Sequence, residues 1–122
     1  MSEDFGVRSF AVLQHLGGAD GAHFDFLFDT SDASPLITFR IPEWPLAAGS
    51  TQAALKLRDH RRIYLTYEGQ ISGDRGHVSR VDEGNVRVTR AGTSWLLSHG
   101  DGRPFLLLEP VTDDEWRVTR NE

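Results

Sequence analysis

The stretch His23-Phe-Asp-Phe-Leu-Phe-Asp29 constrains this chain more than any other. Side chains along an extended strand point alternately to its two faces. His23, Asp25, Leu27 and Asp29 therefore share one face, while Phe24, Phe26 and Phe28 share the other. The alternation predicts a strand that packs its aromatic face into a core and keeps an imidazole and a carboxylate on the opposite face. An imidazole and a carboxylate two positions apart can hold a divalent metal through nitrogen and oxygen. A third ligand has to come from elsewhere, and His15 is the nearest candidate.

The rest of the chain extends the β pattern. Phe10 to Gln14, Leu36 to Ile41, Ile63 to Tyr67, His77 to Val81, Val86 to Arg90, Ser94 to Ser98, Phe105 to Glu109 and Trp116 to Thr119 are all short runs suited to strands. Turn residues separate them: Gly17 to Gly21, Ser31 to Pro35, Ser72 to Gly76, Asp82 to Asn85, His99 to Arg103 and Thr112 to Glu115. Pro42, Pro45 and Gly49 mark an irregular stretch. Thr51 to Leu57 suits a short helix, because Ala53, Ala54, Leu55 and Lys56 favour one, with a strand as the alternative. Many short strands at regular spacing predict an all-β, mainly antiparallel fold. The expected form is a closed or partly open β-barrel of about eight strands, with at most one or two short helices. Closure removes exposed sheet edges.

With 122 residues, the chain suits a single domain, expected over 10–120 behind a polar tail at 1–9. It has no cysteine, which excludes disulfides, thiolate zinc sites and a cysteine nucleophile. Residues 1–8 lack the apolar core of a signal peptide, and no apolar run approaches the roughly 20 residues that span a bilayer. The expectation is a soluble, cytoplasmic, monomeric protein with no membrane partner. The net charge of −5 argues against a general nucleic-acid coat. Yet Lys56 to Arg80 holds six basic residues against three acidic ones, leaving seven basic and fifteen acidic elsewhere. Such a segment suits one phosphate-bearing end of a ligand, although an ordinary solvated surface would look the same.

Among candidate sites, His15 closes the first strand eight residues before His23. If those strands pair, two imidazoles and a carboxylate meet without a thiolate, a donor set that suits Mn²⁺, Zn²⁺ or Fe²⁺. The plainer reading is that His23 and Asp25 only bond each other on a solvated face. His60 and Tyr64, four positions apart, share a face in either a strand or a helix, and both can serve a phosphate oxygen. His77 and His99 flank turns and receive no role, except that either completes the ligand set of a non-haem Fe(II) oxygenase with His23 and Asp25. There is no GxSxG, GxxxxGK[ST] or GxGxxG motif, so hydrolase-elbow and nucleotide-loop chemistry has no support.

Four segments together resemble a known family. They are Phe10-Ala-Val-Leu-Gln-His15, His23-Phe-Asp-Phe-Leu-Phe-Asp29, Leu36-Ile-Thr-Phe-Arg-Ile-Pro42, and Asp59-His60-Arg-Arg-Ile-Tyr64 through Gly76 into Gly84. They are similar to the 3′-phosphoesterase domain of bacterial ligase D, the DNA polymerase-ligase N-terminal domain family, in its short stand-alone form. The resemblance implies an eight-stranded barrel with a metal site at one opening and Mn²⁺-dependent trimming of nucleic-acid 3′ ends in DNA end repair. It implies His15, His23 and Asp25 as metal ligands, with Zn²⁺ or Co²⁺ as alternatives to Mn²⁺. It implies His60 and Tyr64 at the scissile phosphate, primer-template 3′ ends as substrate, and a DNA ligase or polymerase as partner. The family's arginine two positions after the aspartate is Leu27 here, so Arg40, Arg62 and Arg75 are the candidate phosphate-binding cations. The acidic segment before the first strand is short, and the His15–His23 gap is two residues longer than in the ligase D pattern.

Overall fold

Each strand must bury an alternating apolar face, and eight strands do so by closing on themselves. The computed structural model describes residues 2–17, 22–71 and 76–121. Its strands are β1 (Ser2–Leu16), β2 (His23–Phe28), β3 (Ile37–Ile41), β4 (Thr51–Lys56), β5 (Gly69–Gln70), β6 (His77–Ala91), β7 (Ser94–Ser98), β8 (Pro104–Pro110) and β9 (Glu115–Arg120). The order is β1-β2-β3-β4-β9-β8-β7-β6, and β6 pairs back onto β1, so the antiparallel barrel is closed. The short β5 pairs with the start of β6 outside that ring. Among the described residues, no helix is long and apolar enough to cross a membrane.

The interior is one cluster drawn from all eight barrel strands. Phe10, Val12, Phe26, Phe28, Phe39, Ile41, Ala54, Val86, Val88, Trp95, Leu97, Leu106, Leu108, Trp116 and Val118 all belong to it. Phe28 meets Trp95 edge-on at 5.3 Å and Phe39 meets Trp116 edge-on at 4.9 Å, while Phe10 and Phe26 stack at 5.4 Å. Burying side chains of this size stabilises by about 1.5–3 kcal/mol each.

A second, smaller cluster lies on the other side of the wall. Leu13, Leu27, Leu36 and Val78 point outward and are buried beneath Tyr64, Leu65, Tyr67 and Ile71. Those covering residues belong to the connection from β4 to β6, which crosses the outer face of β1 and β2. It is stitched down at several points. His60 and Leu36 exchange backbone hydrogen bonds of 3.0 and 2.8 Å. Arg62 donates to Asp29 Oδ2 at 3.1 Å and to the carbonyls of Ser31 and Ser34 at 2.8 and 2.9 Å. Arg80 donates to the Leu65 carbonyl at 3.2 Å.

Several elements differ from what composition suggests. Residues 2–9 are no tail: β1 begins at Ser2 and pairs with β6 from Ser2↔Ala91 onward. Asp82 to Asn85 is no turn but part of β6, paired with Val12 to Ser9. Gly84 serves packing there, since a Cβ would lie 3.0 Å from the Phe10 ring. Thr51–Lys56 is a strand and not a helix, because pairing with β9 outweighs the weak propensity of its alanines. Ile63 to Tyr67 is no strand; Arg62–Leu65 forms a 3₁₀ turn that lays Tyr64 and Leu65 on the outer cluster. Most of the expected Gly17–Gly21 and Ser72–Gly76 turns lies outside the described residues.

Candidate metal centre on the outer wall

Register brings the three expected ligands together. β1 and β2 pair with His15 opposite His23 and Leu13 opposite Asp25. His15 has the same parity along β1 as outward-facing Leu13, and His23 and Asp25 the same parity along β2 as outward-facing Leu27. The cluster therefore sits on the outside of the barrel wall, beside the crossing connection. His15 and His23 lie where β1 ends and β2 begins, and they face outward because Phe24, Phe26 and Phe28 claim the inner face of β2.

One ligand atom from each of His15, His23 and Asp25 lies within 4.8 Å of the others. His15 Nδ1 and His23 Nε2 are 3.0 Å apart. Two ligands about 2.1 Å from one ion and at right angles are separated by about 3.0 Å, so this spacing fits a shared cation. His23 Nε2 is 3.8 Å from Asp25 Oδ1, which at the same bond length subtends about 130°. His23 and Asp25 are buried, at 8% and 4% exposure, while His15 is half-buried. The set offers two imidazole nitrogens and a carboxylate, hard-to-borderline donors that suit divalent first-row ions. A metal ion can be held here.

The connection completes the surroundings. Gly76 lies directly over His15, with φ +96°; a Cβ there would sit 2.2 Å from the Leu16 carbonyl oxygen and 3.1 Å from His15 Nε2. Only glycine allows that approach, because a Cβ would collide with the Leu16 carbonyl and crowd the His15 ring. On the other side, His60 Nε2 lies 4.0 Å from Asp25 Oδ2. His60 Nδ1 is 3.0 Å from the Arg58 carbonyl oxygen, an acceptor only, so Nδ1 carries the proton and Nε2 faces the carboxylate. Tyr64 packs edge-on to His60 at 5.7 Å, with Arg61 over its ring at 5.8 Å.

The candidate arginines separate. Arg40 stands opposite Asp25 on β3 and its Nε donates to Asp25 Oδ1 at 3.3 Å, so it adjoins the centre. Arg62 is engaged by Asp29 and two backbone carbonyls and acts as the latch of the connection. Arg75 lies outside the described residues. Leu27, where the resemblance has arginine, is fully buried in the outer cluster. Neither His77 nor His99 joins the ligand group, whose third member is His15. His77 opposes Leu16, one step out of phase with the centre, and His99 packs on Phe105 at 4.9 Å.

Sequence reasoning missed two features. Asp29 pairs with Arg62, 33 residues away, and only its phase with His23 and Asp25 in the sequence hinted at a role. Gly76 above His15 gave no signal beyond turn composition. Comparison with known proteins gives no match to a protein-family model and none to a curated protein.

Proposed function

We propose that this chain is a divalent-metal-dependent phosphoesterase-like protein that acts on nucleic-acid 3′ ends, removing a 3′-phosphate or a 3′-ribonucleotide. The carrying observation is the convergence of His15, His23 and Asp25 with His60 and Arg40 on either oxygen of the same carboxylate. The donor set supports the metal class. The likeness to the ligase D 3′-phosphoesterase supports the substrate class and a role in DNA end repair beside a ligase or polymerase.

His15, His23 and Asp25 would hold the ion, with Mn²⁺ first and Zn²⁺ or Co²⁺ as alternatives. Such an ion, when bound, polarises a phosphoryl oxygen and acidifies a water. The chain's own groups do the rest. His60 exposes Nε2 beside the centre because Nδ1–H is held by the Arg58 carbonyl, so it can take or deliver a proton there. Arg40 offers a guanidinium at the point where phosphate charge would gather. The Tyr64 hydroxyl would orient the phosphate. The test is incubation with Mn²⁺ and a primer-template ending in a 3′-phosphate or one ribonucleotide. Product above a His23→Ala control is expected, and its absence removes the enzymatic reading.

A second reading has its own observation. Leu27 is sealed in the outer cluster at the position of the family's arginine. On this reading the chain binds metal and nucleic-acid ends, or a ligase partner, without turnover. End binding without product in the same assay favours it, and turnover sinks it.

A further inference from the structure

Beside the centre, the barrel wall has a seam. The β3–β4 ladder holds only two pairs, Phe39↔Lys56 and Arg40↔Leu55. In that register Pro42 would face Ala53, but proline has no N–H to donate and the ladder stops. Beyond the break, the Gln52 side chain takes over: it accepts from the Glu43 N–H at 3.1 Å and donates to the Glu43 carbonyl at 3.3 Å. Between these two closures, Ile41 and Pro42 stand across from Ala53 and Ala54, whose one-carbon side chains leave the seam open. The result is a groove of about 730 Å³, floored by Trp116 and flanked by Leu55 and Val111, with His23 and Arg40 at one end. Leu55 and Val111 are unusually open for aliphatic residues, at 46% and 60% exposure.

The two ends of this groove want different chemistry. Arg40 and the metal-ligating group favour an anion, whereas most of the remaining wall is apolar, with Thr51, Gln52, Glu115 and Arg117 as its polar members. A cavity of this size is within the range of about 300–1,000 Å³ that holds small organic ligands. We propose that the seam holds the base of the terminal nucleoside whose 3′-phosphate reaches Arg40 and the centre; this rests on the reading of the centre given above. The only side-chain amide on the walls, Gln52, is already committed to Glu43 on both its oxygen and its nitrogen.

The test uses thymidine 3′-monophosphate, adenosine 3′-monophosphate and inorganic phosphate, titrated calorimetrically into the whole protein with Mn²⁺. Ala53→Phe fills the groove from an exposed strand position outside the metal and catalytic residues. Both nucleotides should bind about tenfold more tightly than phosphate, the weight of one well-placed base. Ala53→Phe should abolish that margin and leave Mn²⁺ and phosphate binding unchanged. If Mn²⁺ and phosphate bind but nucleotides gain nothing, or Ala53→Phe keeps the margin, the groove proposal falls and the metal reading stands. If Mn²⁺ does not bind but nucleotides still do and lose that binding in Ala53→Phe, the groove stands on Arg40 and the metal reading falls. If nothing binds, both fall.

Discussion

Phe26 and Phe28 on the inner face of β2, Asp25 on its outer face and Asp29 just past its end are all buried, yet the two sets are held by different means. The phenylalanines meet only rings and aliphatic chains, and closure of the barrel removes their water. The aspartates are covered by a connection and each is met by a cation: Arg40 at 3.3 Å for Asp25, Arg62 at 3.1 Å for Asp29. Isolated buried charge is costly unless paired, so the outer face needs partners that the inner face does not. One strand thus serves as structural wall inside and as chemical surface outside. A change on one face should leave the other largely intact.

The largest effect should come from the inner face. Phe28→Ala removes a fully buried ring that packs edge-on against Trp95. It should lower unfolding stability by about 3–5 kcal/mol in urea titrations, as for other buried aromatic truncations. Mn²⁺ affinity of the folded protein should change less than about twofold, since every proposed ligand points the other way (a tenfold change would be about 1.4 kcal/mol). A loss of metal affinity as large as the loss of stability would break the independence of the two faces.

The outer face should answer differently. In wild type, Mn²⁺ at 100 times its dissociation constant should add about 2.7 kcal/mol to unfolding stability by mass action. His23→Ala should show none of that gain, while its stability in chelator stays near that of wild type because the barrel interior is untouched. A metal-dependent gain that survives in His23→Ala would remove the proposed centre.

How much of this was legible follows the same division. The parity of β2 was visible because phenylalanine occupies every second position from Phe24 to Phe28, with His23, Asp25 and Asp29 at alternate positions. That parity put His23 and Asp25 together, and the short spacing to His15 made the β1–β2 pairing foreseeable. Parity also told which face turns to the core, since the phenylalanines face inward, whereas it could not show that a connection would cover the polar face. The length of β1 and β6 was hidden because Ser2, Glu3, Asp4, Asp82, Glu83 and Asn85 are polar, exposed residues with no alternating apolar face to mark a strand. The latch was invisible because Arg62 and Asp29 become neighbours only once the connection folds over the wall.

That latch sharpens the comparison. Arg62→Ala leaves the buried Asp29 carboxylate with the Ser9 N–H at 3.2 Å and frees the Ser31 and Ser34 carbonyls. The expected loss is about 1–3 kcal/mol, the range for a buried polar group deprived of a partner, reduced here because Arg62 is itself about one-third exposed. Amide exchange should rise over residues 57–71 and stay unchanged in β7 and β8. Uniform acceleration across the barrel would mean that cover and wall unfold together.

The smallest effect is expected far from both faces, in the β7–β8 turn. The Arg103 backbone N–H at 3.0 Å, and then its side chain at 2.6 Å, hold the Asp101 carboxyl below the usual carboxylate range. A carboxyl whose value is lower in the folded chain contributes stability above its unfolded value, about 3.9, and loses it as the pH falls further. Asp101 is exposed, so the contribution is screened and small. Asp101→Asn should therefore unfold at slightly lower urea than wild type at pH 7, and the gap should narrow as the pH falls below about 3.9. A gap that persists unchanged at acid pH would assign the turn's stability to its backbone shape and leave charge no part in it.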